Sequence, residues 1–251
     1  MNIAFIISSA IDLGYDAKSN FIGKKIRSVF SAEERFEQTQ FTLSNIDSFF
    51  PDVKKYIFDV GKNSDRYKDN LSYVKNLDFI SVEKINQEAS EKCITLQSKG
   101  WCESIGTYIF LENKKDELKK YDFLIKISGR YFYKNFNKKF LTSDNLDKIL
   151  SKKIYKWNWK NSWGFPEFLN QDGMLYWMPT TTYCIPRICF ETYKSSIENI
   201  KNFYEDNKDS NFIQIDFEAM MFYFLLKDKY FIETDWICEG LGGADGKLSV
   251  Y

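Results

Sequence analysis

The 251-residue chain contains no histidine. That absence excludes Ser-His-Asp and Cys-His catalysis, histidine-ligated metals and any imidazole general base. Proton chemistry must then fall to carboxylates, Lys, Tyr or Cys. No apolar run approaches the roughly 18 residues that a membrane-spanning helix requires, so any membrane contact is expected to be peripheral. No basic segment precedes the apolar run Ile3 to Ile7, and Asp12 follows it closely. Both features argue against a secretory signal and for a cytoplasmic location. The five cysteines (Cys93, Cys102, Cys184, Cys189, Cys238) include no Cys-x-x-Cys pair. Their odd number fits a reducing compartment, and we read them as mostly buried thiols. Cys184 and Cys189 also lack zinc-site spacing. Finally there is no charge excess: 35 basic residues balance 35 acidic ones, and no overall field draws the chain to nucleic acid.

What the chain does have is aromatic mass, with 23 Phe, 16 Tyr and 6 Trp. A chain of this length hides roughly 73% of its unfolded surface, enough for one sizeable core. No internal repeat or low-complexity linker interrupts it, and one domain spanning 1–251 is expected.

The run Ile3 to Ile7 ending at Ser8 and Ser9 has the pattern of a buried parallel strand. Phe36, Thr39, Leu43, Ile46 and Phe50 mark one face of a helix that Pro51 ends. A strand over Lys55 to Val60, a polar loop over Lys62 to Asn70 and a short strand over Asp78 to Val82 follow. Glu103 to Lys120 reads as a helix, and Tyr121 to Ile127 as a strand leading into Ser128-Gly129-Arg130-Tyr131. Strands alternating with helices through residue 130 predict an α/β fold with a doubly wound, mainly parallel central sheet flanked by helices. Further on, the pattern predicts a helix over Ser143 to Lys152, strands over Met174 to Met178 and Thr181 to Ile185, a helix over Asp216 to Leu226 and a strand over Tyr230 to Ile237. Gly240 to Gly246, with Glu239 and Asp245, reads as a turn-rich loop able to act as a lid or simply to turn the chain.

Several side chains stand where such sheets bind ligands, at the carboxyl ends of strands. Asp59, followed by Gly61, is either a ligand contact or turn chemistry. Lys126 and Arg130 are either anion contacts or surface partners. Glu103, near a helix start, is stabilised by the helix dipole whatever its role. Asp216 and Glu218 form an acidic pair before a helix, suited to capping, to proton transfer, or to both. Trp157, Trp159 and Trp163 fit packing between strands, or stacking on the C–H face of a sugar.

In order and kind, these features resemble the GT-A glycosyltransferases, nucleotide-sugar transferases built on a Rossmann-like domain. The opening strand, Gln38-Thr39 leading to Ser44-Asn45-Ile46, and Tyr56-Ile57-Phe58-Asp59-Val60-Gly61 look like that family's first strand, helix and nucleotide-contacting second strand. Lys99-Gly100-Trp101-Cys102-Glu103, a helix, and Tyr121 through Tyr131 resemble the segment leading into its metal-binding acidic motif. Residues 1 to 60 and 99 to 133 carry the likeness, and the Lys-x-x-Gly-Arg-Tyr form of Lys126 to Tyr131 is similar to one in certain bacterial surface-polysaccharide transferases.

The resemblance implies a GT-A-like single domain, with 1–133 binding a nucleotide-sugar donor and 134–251 a glycan or glycolipid acceptor. It implies Asp59 beside the base or ribose, Lys126, Gly129, Arg130 and Glu103 around the donor, and Glu218 or Asp216 as catalytic base for an inverting transfer. The chain departs from the family in having no Asp-x-Asp anywhere. Ser128-Gly129-Arg130 stands in its place, so a divalent metal (Mn or Mg), which the resemblance allows, has no recognisable ligand pair. A planar Arg130 fork, with Lys126 as a point charge, would neutralise the leaving diphosphate instead. A non-catalytic carbohydrate-binding or interaction module and a nucleotidyltransferase are the alternative classes.

Overall fold

A computed structural model describes residues 1–14, 30–95, 98–161, 165–210, 212, 215–226, 231–241 and 247–250. In chain order the first half comprises β1 (Ile3–Ser9), α1 (Ala32–Phe49), β2 (Lys54–Asp59), α2 (Ser64–Asn70), β3 (Leu77–Ser81), α3 (Val82–Ile85), α4 (Gln87–Thr95), α5 (Lys99–Leu118) and β4 (Phe123–Ser128). There follow β5 (Tyr131–Asn135), β6 (Ile149–Ser151), β7 (Tyr155–Asn158), β8 (Met174–Trp177), β9 (Thr182–Pro186), α6 (Phe190–Asp206), α7 (Phe217–Met221), β10 (Phe231–Glu233), β11 (Ile237–Leu241) and β12 (Leu248–Val250).

Seven strands form the central sheet in the order β10-β6-β9-β4-β1-β2-β3. The pairs β4-β1, β1-β2, β2-β3 and β10-β6 are parallel, and β9 runs antiparallel between β4 and β6. The expected α/β class and mainly parallel sheet are thus what the chain forms. The order runs outward from β1 through β2 to β3 and then resumes on β1's other side with β4. That reversal opens a crevice outside the carboxyl ends of β1 and β4.

Side chains alternate across this sheet to make two cores. Ala4, Ile6, Tyr56, Phe58 and Leu124 pack against α5, α6 and α7, while Phe5, Ile7, Ile57, Ile125 and Ile127 pack against α1 and a smaller sheet, β12-β11-β5. A capping box starts α1: Ser31 Oγ accepts from the Glu34 amide, and Glu34 accepts from the Ser31 amide. The helix then clasps β5, since Asn45 both donates to Tyr133 O (3.0 Å) and accepts from Tyr133 N (2.7 Å), and Thr42 Oγ1 donates to Tyr131 O (2.8 Å). All five cysteines are buried free thiols.

Three expectations are corrected. The segment expected to be a polar loop after β2 contains α2, a short helix that buries only Ser64 and Tyr67 and so has no apolar period to read. The helix expected over Ser143 to Lys152 is a single 3₁₀ turn, Ser143–Asn145, followed by β6. Ile149, Leu150 and Ser151 are buried consecutively between β9 and β10, and burial on both faces selects a strand over a capped helix. The strand expected over Tyr230 to Ile237 divides into β10 and β11, which belong to different sheets. Gly240 and Leu241 lie within β11, and residues 242–246, with Asp245, lie outside the described residues.

The close seating of α5 on the sheet depends on Gly106, where a Cβ would stand 2.5 Å from Val60 Cγ1 and 3.2 Å from Phe58. Gly106→Val should therefore overpack this contact and cost about 1–3 kcal/mol. Chemical denaturation measures it, and an unchanged midpoint would show that α5 can lift at no cost.

Candidate active site

The β1/β4 crevice is lined by Ser8, Ser9 and Ala10 after β1, by Ser128, Gly129 and Arg130 after β4, by Arg35 and Thr39 of α1, and by Lys99, Cys102 and Glu103 of α5. Three cations therefore face one cleft. Arg130 and Glu103, singled out from the sequence, come together here with Gly129. Arg35 and Lys99 were not singled out, although Lys99 stands within a segment that carried the family resemblance. Arg35 is buried on a helix face whose apolar members set the pattern, and its strand-end location follows only from α1 packing on β5.

Behind Glu103 lies Lys126, 2% exposed on the α5 face of β4. Its ammonium donates to Glu103 Oε1 (2.5 Å), Ser128 Oγ (3.0 Å) and Thr180 O (2.5 Å), and lies over the Tyr183 ring at 5.7 Å. Three donors thus meet three acceptors. Lys126 does not line the cleft; it fixes Glu103 and the residues after β8.

Thr180 passes the arrangement on, donating its hydroxyl to Glu218 Oε1 at 2.9 Å. Glu218 sits in the first turn of α7, where its own carbonyl accepts from the Met178 amide at 3.2 Å. Burial, with repulsion from Glu103 second, pushes its carboxyl from the ordinary 4.5 up to about 7. A carboxylate so placed exchanges protons near neutrality, which suits a general base. Asp216 is the N-cap residue of the same helix, makes no side-chain cap bond and is exposed. Desolvation by the neighbouring protein raises its pKa, against which the Lys99 charge and the nearby Trp177 side chain act.

Asp59 is fully buried. Its oxygens accept from the amides of Ile11 (2.9 Å) and Gly61 (2.9 Å) and from Ser64 Oγ (3.0 Å). Burial raises its pKa against these bonds. The carboxylate laces the loop after β1 to the loop after β2 and leaves the cleft walls to its neighbours Phe58 and Val60. Gly129 donates its amide to Ser8 O at 2.8 Å, continuing the sheet to the cleft floor. Gly240 of β11 lets the second sheet approach, for a Cβ there would collide with the backbone carbonyl of Arg130.

The aromatic stretch separates. Trp157 is exposed on β7, Trp159 begins a 3₁₀ turn and packs against the core, and Trp163 lies outside the described residues. Trp157 and Trp159 therefore do not share a strand face. Among the described residues, no group of three His, Cys, Asp or Glu stands close enough together to hold a metal ion, and no helix is long and apolar enough to cross a membrane.

No protein-family model matches the sequence, and no curated protein matches it. Among solved structures, the chain is similar to core-mannan synthase A from Aspergillus fumigatus in its Mn/GDP form, at 9% identity over 95% of this chain and 74% of that one, with a TM-score of 0.54. Mouse xyloside xylosyltransferase 1 in its apo form matches at 12% identity over 93% and 84% of the two chains, with a TM-score of 0.47. The galactosyltransferase LgtC with donor and acceptor sugar analogues matches at 13% identity over 92% and 73%, with a TM-score of 0.46. At such identities the likeness is one of fold, and the mannan synthase is the one of these three similar enough to bear on it. Together with the strand order, it shows that the chain has the GT-A fold.

The Glu218 shift makes a stability prediction. Between about 4.5 and 7 the folded protein holds a proton that the unfolded chain releases. Stability from this group is therefore full below pH 4.5 and is lost as pH rises through 7. Glu218→Gln should raise the melting temperature at pH 8, by up to about 3 kcal/mol in stability, and change it little at pH 4.5. A destabilised variant at pH 8 would contradict the assigned burial.

Proposed function

We propose that the protein transfers a sugar from a nucleotide-diphosphate sugar to a hydroxyl of a glycan or glycolipid acceptor. The observation that carries this reading is the gathering of Arg35, Lys99 and Arg130 at the switch-point crevice, with Glu218 held near neutral beyond Glu103. In the proposed reaction, Glu218 takes the proton of the acceptor hydroxyl as its oxygen attacks the anomeric carbon. The bond from that carbon to the diphosphate breaks on the opposite face, inverting the centre. The electron pair leaves with the diphosphate, whose growing charge meets the guanidinium groups of Arg130 and Arg35 and the ammonium of Lys99. Glu103, Lys126 and Thr180 position these groups, Asp59 holds the donor-side loops, and Asp216 is the acceptor-side partner of Glu218.

The residues at the cleft do not fit a divalent metal. Where the GT-A resemblance leads one to expect two aspartates, there stand Ser128 and Arg130, and Glu103 already neutralises Lys126. No step is therefore routed through a metal. The Lys-x-x-Gly-Arg-Tyr likeness supports a bacterial surface polysaccharide, capsule or lipopolysaccharide, as the product, made in the cytoplasm with peripheral contact at the inner membrane face. Non-catalytic binding is the competing reading, and turnover separates the two.

Thermal shift against a panel of nucleoside diphosphates and their sugars tests donor binding, because a ligand of the native state raises the melting temperature. We expect a shift that persists in EDTA and is lost in Arg130→Ala; a shift only with manganese would overturn the metal-free reading. In a transfer assay with the donor so identified, Glu218→Gln should keep donor binding and lose about 10²–10⁴-fold in kcat. Wild-type turnover in both variants would remove the site assignment.

A further inference from the structure

β7 and β8 form a two-stranded hairpin outside the main sheet. One of its residues, Tyr176, is anchored to the core by stacking on Phe222 with centroids 4.7 Å apart and planes 13° apart. Neighbouring strand residues point to opposite faces. Tyr155 and Trp157 therefore share a face with Trp177, the cross-strand partner of Tyr155, while Lys156 and its partner Tyr176 take the other. Tyr155 and Trp157 are 40% and 45% exposed. Their rings lie side by side, planes 21° apart and centroids at 6.3 Å, and Trp177 meets both edge-on at 5.8 and 6.0 Å. This face is continuous with the acidic pair. The Met178 amide, next in the chain after Trp177, donates to the carbonyl of Glu218 at 3.2 Å, and the Trp177 side chain neighbours Asp216.

Two near-parallel rings, braced by a third and exposed to water, suit a ligand with flat apolar C–H faces and polar edges. A pyranose has both. Asp216, exposed at the start of the adjoining α7, can accept hydrogen bonds from sugar hydroxyls, and the exposed Lys153, Lys156 and Lys160, close in sequence to the rings, can donate them. We propose that Tyr155, Trp157 and Trp177 form a subsite for a neutral hexopyranose unit of the acceptor chain, one or more units from the hydroxyl that reacts. This deepens the transfer reading and rests on it: the acceptor is a glycan chain rather than a single sugar.

Calorimetry on the 251-residue chain tests the subsite directly. The probes are malto-, cello-, manno- and chitohexaose with the matching monosaccharides, titrated into wild type and into Trp157→Ala and Tyr155→Ala. Both altered side chains are exposed, so the fold should survive, and circular dichroism checks it. We expect at least one hexasaccharide to bind wild type, and each variant to bind it about tenfold more weakly, about 1.4 kcal/mol. The proposal is overturned if no hexasaccharide binds, or if the variants bind as tightly as wild type. It is also overturned if the variants lose only co-sedimentation with phosphatidylglycerol vesicles, which would make the rings a membrane contact. Calorimetry needs no turnover. Failure to transfer from any donor would remove the proposed reaction while leaving the subsite standing.

Discussion

An ammonium ion buried against the face of a parallel sheet is the constraint on which the site depends. Lys126 stands where β4 would otherwise carry an apolar residue, beside Leu124 and under α5. Burying an unpaired charge there is costly enough that the surrounding structure must supply partners. It supplies three, from α5 (Glu103), from β4 itself (Ser128) and from the segment after β8 (Thr180). Three elements far apart in sequence are thereby tied to one atom. The same tie reaches Glu218, because Thr180 turns its hydroxyl to Glu218 while its carbonyl faces Lys126.

Around this centre, the cleft is shaped by contacts that do not touch it. Asp59 staples the loops after β1 and β2 from below. On the other side, Asn45 and Thr42 hold β5 to α1, fixing Arg35 and Thr39 relative to the β4 end, and Gly240 lets β11 close on the carbonyl of Arg130. The cations are thus presented by rigid elements, as the proposed stabilisation of a leaving diphosphate requires.

Local pattern made part of this legible in the sequence. The first strand, the helix ended by Pro51, and the run into Ser128-Gly129-Arg130 could be read because period and punctuation agree there. Arg130 and Glu103 follow from position alone, since a strand end and a helix start face the same crevice in this topology. Helix α6 is legible too, since Phe190, Tyr193, Ile197, Ile200 and Tyr204 recur at helical spacing and are all buried. Other features needed the tertiary structure. β6 was hidden because its three residues gain their partners from β9 and β10, far away in the chain. Asp59 shows the limit most plainly. An acid at a strand end reads the same whether it faces a ligand or two loops, and only burial distinguishes them. Arg35 and Lys99 were missed for the complementary reason, that cations on amphipathic helices ordinarily face solvent.

The proposal that Glu218 removes the acceptor proton at a metal-free cleft has one direct test, the pH dependence of kcat/KM with the identified donor, in EDTA and in manganese. The account predicts a rate that rises through a single ionisation near pH 7, with the same profile in both media. A rate flat from about pH 5 to 9, where a carboxylate of ordinary pKa would stay ionised, or one that appears only with manganese, would contradict it.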